Sequence, residues 1–106
     1  MNRGELWTVS GGVYAAKPRP ALIIQDNLFS ATESVVVIPL TTTVADVTIA
    51  RIALPTTTGI AQPSYAMIDK ITTVRRTNLG QRVGRVSAAL MADIERSIMV
   101  FLGLAS

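Results

Sequence analysis

Arg19, Thr41 and Asp69 are the residues whose types and surroundings suit chemistry rather than packing. Arg19 lies in Lys17-Pro-Arg-Pro-Ala-Leu-Ile-Ile-Gln25, where an apolar run of strand length opens on a cation held between two prolines. Thr41, Thr42 and Thr43 close the matching run Val35-Val-Val-Ile-Pro-Leu-Thr-Thr-Thr43. Asp26 to Ser34, between the runs, is rich in turn formers. An antiparallel hairpin centred near Ser30 sets Arg19 opposite Thr41, with Cα atoms about 5 Å apart. A cation and a hydroxyl then share one end of the hairpin, and a slip of one residue would turn one of them to the other face. Pro18 and Pro20 restrict the backbone around Arg19, either to aim its guanidinium or simply because a strand starts there. Asp69 falls in the middle of an apolar stretch. A carboxylate there is a base, a substrate orienter, or half of an ion pair with a nearby arginine.

The composition narrows what such residues could do. There is no histidine and no cysteine. That excludes a Ser-His-Asp triad, paired-histidine ribonuclease chemistry, an ordinary zinc site and disulfides. Any hydrolysis must use Arg, Lys, Asp, Glu, Ser, Thr or Tyr, and neither a metal nor a cofactor is expected. The net charge is +3, and five cations (Lys70, Arg75, Arg76, Arg82, Arg85) run from Lys70 to Arg85 with no acid among them. This suits a phosphate-rich partner, the alternative being an ordinary solvated face. Hydrophobic residues make up 49% and charged residues 16%, so a partner covering apolar surface is expected. No apolar run approaches the roughly 20 residues of a membrane helix, and the first residues lack a signal-peptide core. The expectation is a soluble, cytoplasmic chain of one domain, residues 1–106, with no membrane association.

The elements that must position these residues are mostly short strands. Gly4 to Ser10 reads as the first, with Trp7 packing at its end. Gly11 to Lys17, opened by two glycines, is a hairpin loop or a mobile flap on which Tyr14 could stack and Lys17 could reach phosphate. Ala21 to Gln25 and Ser34 to Leu40 are apolar on both faces, as in a small closed barrel, with Phe29 pinning the loop between them to the core. Val47 to Leu54 alternates as a fourth strand, Ser64 to Val74 forms a fifth, and Gln81 to Val86 a short last one after a turn at Asn78-Leu-Gly80. Ser87 caps a helix over Ala88 to Leu102 whose apolar face includes Leu90, Met91, Ile94, Ile98 and Phe101, and Gly103 ends it. The total is a mainly β chain, about six strands followed by one helix.

In order and spacing these segments resemble the MazF/PemK/Kid family of toxin endoribonucleases. The matching stretches are Arg3-Gly-Glu-Leu-Trp7, Arg19-Pro-Ala-Leu-Ile-Ile24, Val35-Val-Val-Ile-Pro-Leu-Thr41, Asp69-Lys-Ile-Thr-Thr73, Arg82-Val-Gly-Arg85 and Leu102-Gly-Leu104. The resemblance implies an SH3-like, CcdB-like barrel with a C-terminal helix. It implies a homodimer and a metal-independent ribonuclease that cuts single-stranded mRNA at short motifs, with rRNA and tRNA open as targets. Arg19 matches the arginine assigned to phosphate binding and proton donation, Thr41 the threonine on the scissile phosphate, and Asp69 the acid that serves as base in some members. Met67 and Thr72 stand where some relatives carry arginine, and the Gly11–Lys17 flap is shorter than in many. Tyr14, Lys17, Thr42, Lys70, Arg75 and Arg76 are the expected RNA-binding residues.

The chemistry that follows is attack by the RNA 2′-hydroxyl on the adjacent phosphate, leaving 2′,3′-cyclic phosphate and 5′-hydroxyl ends and so inhibiting translation and growth. The expected protein partner is a cognate antitoxin with an acidic, disordered tail. The competing readings are a CcdB-like toxin that binds gyrase, and an RNA-binding member that has lost catalysis.

Overall fold

A computed structural model describes residues 1–11, 15–43 and 50–105. Among these residues the chain forms seven strands and one helix: β1 (Glu5–Gly11), β2 (Ala15–Ile23), β3 (Ser34–Thr41), β4 (Arg51–Leu54), β5 (Ser64–Met67), β6 (Thr72–Arg75), β7 (Leu79–Arg85) and α1 (Ala88–Phe101). The strands pair antiparallel in the order β4-β5-β3-β2-β1-β7, with β6 also paired to β3. No ladder joins β4 to β7 among the described residues, so the sheet is open. Its two ends nevertheless meet through the short turn Thr56–Thr58 after β4. A Cβ placed on Gly59 would lie 2.5 Å from the Val83 carbonyl oxygen and 2.9 Å from the Gly84 Cα. Among the described residues no helix is long and apolar enough to cross a membrane.

The central hairpin has the expected register. Ala21 pairs with Pro39, Leu22 with Ile38 and Ile23 with Val37, a ladder centred on residue 30. Continuing it by two residues sets Arg19 opposite Thr41. The prolines are not at the strand start, because β2 begins at Ala15, opposite Gly11, and runs through both of them. Ile24 N–H donates to the Val36 carbonyl (3.2 Å), so the even-numbered residues of β2 direct their backbone toward β3. Pro18 and Pro20 lie past the last β2–β3 pair, where a missing donor breaks no ladder bond.

The stretch expected as one strand over Ser64 to Val74 is two. β5 pairs with Leu40 and Thr41 of β3, β6 pairs with Ser34 to Val37, and the tight turn Ile68–Lys70 joins them. Pro39 of β3 falls in the gap and has no N–H to continue the ladder. Asp69 therefore sits on a turn rather than within a strand. The last strand starts at Leu79, after a turn at Arg76–Asn78. Of the stretch expected as the fourth strand, residues 47–49 lie outside the described residues, and β4 begins at Arg51.

Strand alternation divides the core. Leu6, Leu22, Ile38, Leu40, Leu54, Ile68, Met91 and Ile94 pack one face of the sheet against α1. Val9, Ala21, Ile23, Val35, Val37 and Val74 form a cluster on the other face, with Trp7 and Leu79 against it. Each buried Leu or Ile contributes about 1.5–3 kcal/mol. α1 starts where Ser87 Oγ accepts the Leu90 N–H (3.1 Å). It ends in a Schellman turn, with Gly103 at φ +73° and the Leu104 N–H on the Met99 carbonyl (2.7 Å). Arg3 ties the N-terminal segment to the helix, donating to the Ile24 carbonyl (2.9 Å) and to Glu95 (2.8 Å). Burial opposes ionisation of Glu5. Even so, the Asn2 N–H (2.7 Å), the Trp7 indole (3.1 Å) and Arg82 (3.0 Å) together hold its carboxyl below the usual value. Phe29 does not pin its loop, being 59% exposed. Hydrogen bonds do so instead: Gln25 Nε2 donates to Phe29 O (3.0 Å) and Thr32 Oγ1 (2.8 Å), and Arg76 donates to the Phe29 and Thr32 carbonyls.

Candidate active site

The register across β1, β2, β3, β5 and β4 aligns a row of side chains on one face of the sheet. Val9 opposes Arg19, Thr41 opposes Tyr65 and Tyr65 opposes Ala53, with Arg19 and Thr41 joined by the continued β2–β3 register. Arg19 is exposed and Thr41 half-buried. They line one cleft of about 150 Å³ together with Thr42, Thr43 and Ser64. The Thr41 hydroxyl oxygen accepts the Thr43 backbone N–H (3.1 Å), which leaves the hydroxyl proton to donate outward. One fixed cation and several hydroxyls in a small cleft suit an oxyanion such as a phosphate.

A second, larger cavity of about 390 Å³ shares Arg19. It is lined by Pro39, Leu40 and Met67 together with Lys70, Thr72 and Thr73. Lys70 reaches it because the Ile68–Lys70 turn projects there. Lys17, two residues before Arg19 on β2, is exposed on the same face.

Asp69 borders neither cavity. Its carboxylate accepts two hydrogen bonds from Arg51, from Nε (3.0 Å) and from Nη2 (3.2 Å). The Arg51 side chain is 14% exposed and that of Asp69 28%. Arg51 stands opposite Met67 across the β4–β5 ladder, so the pair clamps that hairpin to the turn after it.

The expected RNA-binding residues are not all in one place. Thr42 and Lys70 border the clefts. Arg75 is exposed opposite Ser34, at the far end of β3 from Thr41, about 20 Å of strand away. Arg76 is folded onto the 29–32 carbonyls beside it. Tyr14 lies outside the described residues. The basic stretch is thus dispersed: Arg82 pairs with Glu5 and only Lys70 reaches the clefts.

Sequence reasoning missed Arg51, Ser64 and the cavity-lining role of Thr72 and Thr73. For Arg51 a signal existed, since one arginine and one aspartate, each within an apolar segment, are a natural pair. Tyr65 is a half-buried aromatic directly opposite Thr41. Among the described residues no group of three His, Cys, Asp or Glu side chains comes together.

Residues 2–102 match the family described as PemK-like, MazF-like toxin of type II toxin–antitoxin system. A probable endoribonuclease MazF of Mycolicibacterium smegmatis is 47% identical over 108 residues, covering 99% of both chains. Endoribonuclease MazF9 of Mycobacterium tuberculosis is 31% identical, covering 98% of both. A mycobacterial endoribonuclease solved in complex with its cognate antitoxin superposes with a TM-score of 0.85 at 27% identity, over 100% of this chain and 98% of its own.

Proposed function

The chain belongs to the PemK-like, MazF-like family of toxins of type II toxin–antitoxin systems, and from that premise we propose that it is the toxin of such a module, an endoribonuclease that cuts single-stranded RNA at short motifs without a metal ion. The observation that carries this reading is the cleft that Arg19 and Thr41 share. RNA brings its own nucleophile, the 2′-hydroxyl, so the protein has to orient one phosphate and stabilise the charge that develops on it. Attack of the 2′-oxygen on phosphorus, its proton passing to water, breaks the bond to the 5′-oxygen, which takes a proton from water, and yields a 2′,3′-cyclic phosphate and a 5′-hydroxyl. Arg19 clamps the phosphorane electrostatically through its fixed charge and planar fork of donors. Thr41 donates to a non-bridging oxygen. The absence of histidine and cysteine from the chain excludes an ordinary zinc site. Incubation of the protein with a long single-stranded RNA in EDTA is expected to give discrete cuts with 5′-hydroxyl ends. Intact RNA beside folded protein would overturn the reading.

In this mechanism Asp69 acts with Arg51 as a positioning pair that holds the Ile68–Lys70 turn against the cleft. A general base lost to substitution costs about 10²- to 10⁴-fold. For Asp69→Asn we expect a fall of about tenfold or less, well short of that range. Its rate–pH profile should keep the wild-type acid limb, and adding Arg51→Met should make it little worse. A flattened acid limb in Asp69→Asn would make Asp69 the base instead.

A second copy of this chain and an antitoxin complete the reading. The end of α1 and the residues after it leave Met99, Phe101, Leu102 and Leu104 43–70% exposed, an apolar surface that supports a homodimer. The cations Lys17, Arg19 and Lys70 support an acidic antitoxin segment that folds over the cleft. The module would act in the cytoplasm, on mRNA or on structured RNA with accessible single strands.

A further inference from the structure

We infer that the larger cavity beside Arg19 is a nucleobase subsite, selective for a base that presents a carbonyl oxygen at pyrimidine position 4 or purine position 6, uracil or guanine. The inference takes its substrate class from the ribonuclease reading, but the cavity's own chemistry carries it. At about 390 Å³ it falls in the usual range for a small-ligand site, about 300–1,000 Å³. One side is apolar: Pro39, Leu40 and the Met67 thioether, a soft surface for the face of a base. The other is polar: Lys70, Thr72 and Thr73. Arg19 belongs to this cavity and also to the hydroxyl-lined cleft. One nucleotide can therefore place its phosphate on one side of the guanidinium and its base on the other.

The polar side decides which base. An ammonium and a guanidinium only donate hydrogen bonds. The neighbouring carboxylate of Asp69 is engaged by Arg51 at 3.0 and 3.2 Å and does not border the cavity. The Thr72 hydroxyl, on the Arg19 face of β6, is thus the side-chain acceptor there, matched to the ring N–H beside that carbonyl, uracil N3–H or guanine N1–H. Uracil O4 and guanine O6 meet these donors, whereas the amino groups that cytosine and adenine carry at the same ring positions face a shortage of acceptors.

Two measurements test this. In the first, cleavage sites on a long RNA are mapped for wild type, Lys70→Met and the isosteric Thr72→Val/Thr73→Val pair. Wild type should prefer uracil or guanine about tenfold at one motif position, falling to about threefold or less in the variants. A motif identical in all three proteins would overturn the subsite. In the second, methyl resonances of Met67, Thr72 and Thr73 are followed as wild-type protein is titrated with uridine, guanosine, cytidine or adenosine 3′-monophosphate. Saturable shifts at these methyls, at lower concentrations of the uridine or guanosine nucleotide, support the subsite. Shifts confined to Thr41–Thr43 and equal for all four nucleotides overturn it. If the methyls respond selectively but the protein cuts no RNA, the base subsite stands and the ribonuclease reading falls.

Discussion

Arg19→Ala is expected to lower RNA cleavage by about 10²- to 10³-fold, the usual loss when one preorganised donor to a developing oxyanion is removed. Arg19 is exposed, so the folded state should survive, with stability within about 0.5 kcal/mol of wild type. Arg19→Lys should recover only part of the rate, because an ammonium keeps the charge but loses the planar fork. Thr41→Val, which removes one neutral donor and keeps the shape, should cost less than Arg19→Ala. Single-turnover cleavage of one short RNA, with circular dichroism melts of each variant, separates chemistry from folding. A folded Arg19→Ala protein that cuts at the wild-type rate would remove Arg19 from the mechanism and leave the shared cleft without a function.

The second large effect concerns the fold. Gly84→Ala should destabilise the protein by about 3 kcal/mol or more, lowering the melting temperature by roughly 10 °C or more. A Cβ at Gly84 would lie deep inside the Thr58 carbonyl group and 3.0 Å from the Gly59 Cα. The clash is with backbone, which cannot rotate away as a side chain can. This contact is where the turn after β4 meets β7 and the two ends of the open sheet come together. Gly103→Ala is the natural comparison. Gly103 has φ +73° but nothing within 4 Å of a built Cβ, so only the left-handed backbone penalty of about 1–2 kcal/mol applies. Thermal melts showing Gly84→Ala no worse than Gly103→Ala would mean that the Thr58–Gly84 contact does not close the sheet.

Much of the architecture was legible along the chain, for local reasons. Ser87 and Gly103 bracket α1 because an N-cap hydroxyl and a left-handed C-terminal residue are single-residue signals. The β2–β3 register was legible because the turn formers between two apolar runs of similar length leave one centre, and Arg19 and Thr41 lie the same distance from it. The break at Ile68–Lys70 was not, because its neighbours are all plausible strand residues. What forces it is Pro39, some thirty residues earlier, interrupting the ladder that a continuous strand would need. The exposed Phe29 and the close backbone approach of the Thr58–Gly59 turn to Gly84 likewise depend on what lies opposite them.

The sequence alone determined the chemistry's outer limits: with no histidine or cysteine, any hydrolysis is left to Arg, Lys, Asp, Glu, Ser, Thr or Tyr, and the hairpin pattern set Arg19 opposite Thr41. Only the tertiary structure decided what surrounds them. It paired Asp69 with Arg51, placed Thr72 and Thr73 beside a cavity, bent Arg76 onto its own loop and carried Arg75 to the far end of β3. Strand periodicity states which face a side chain takes. The partner across a sheet depends on which distant strand pairs there and in what register, and a charged group's role follows from that partner.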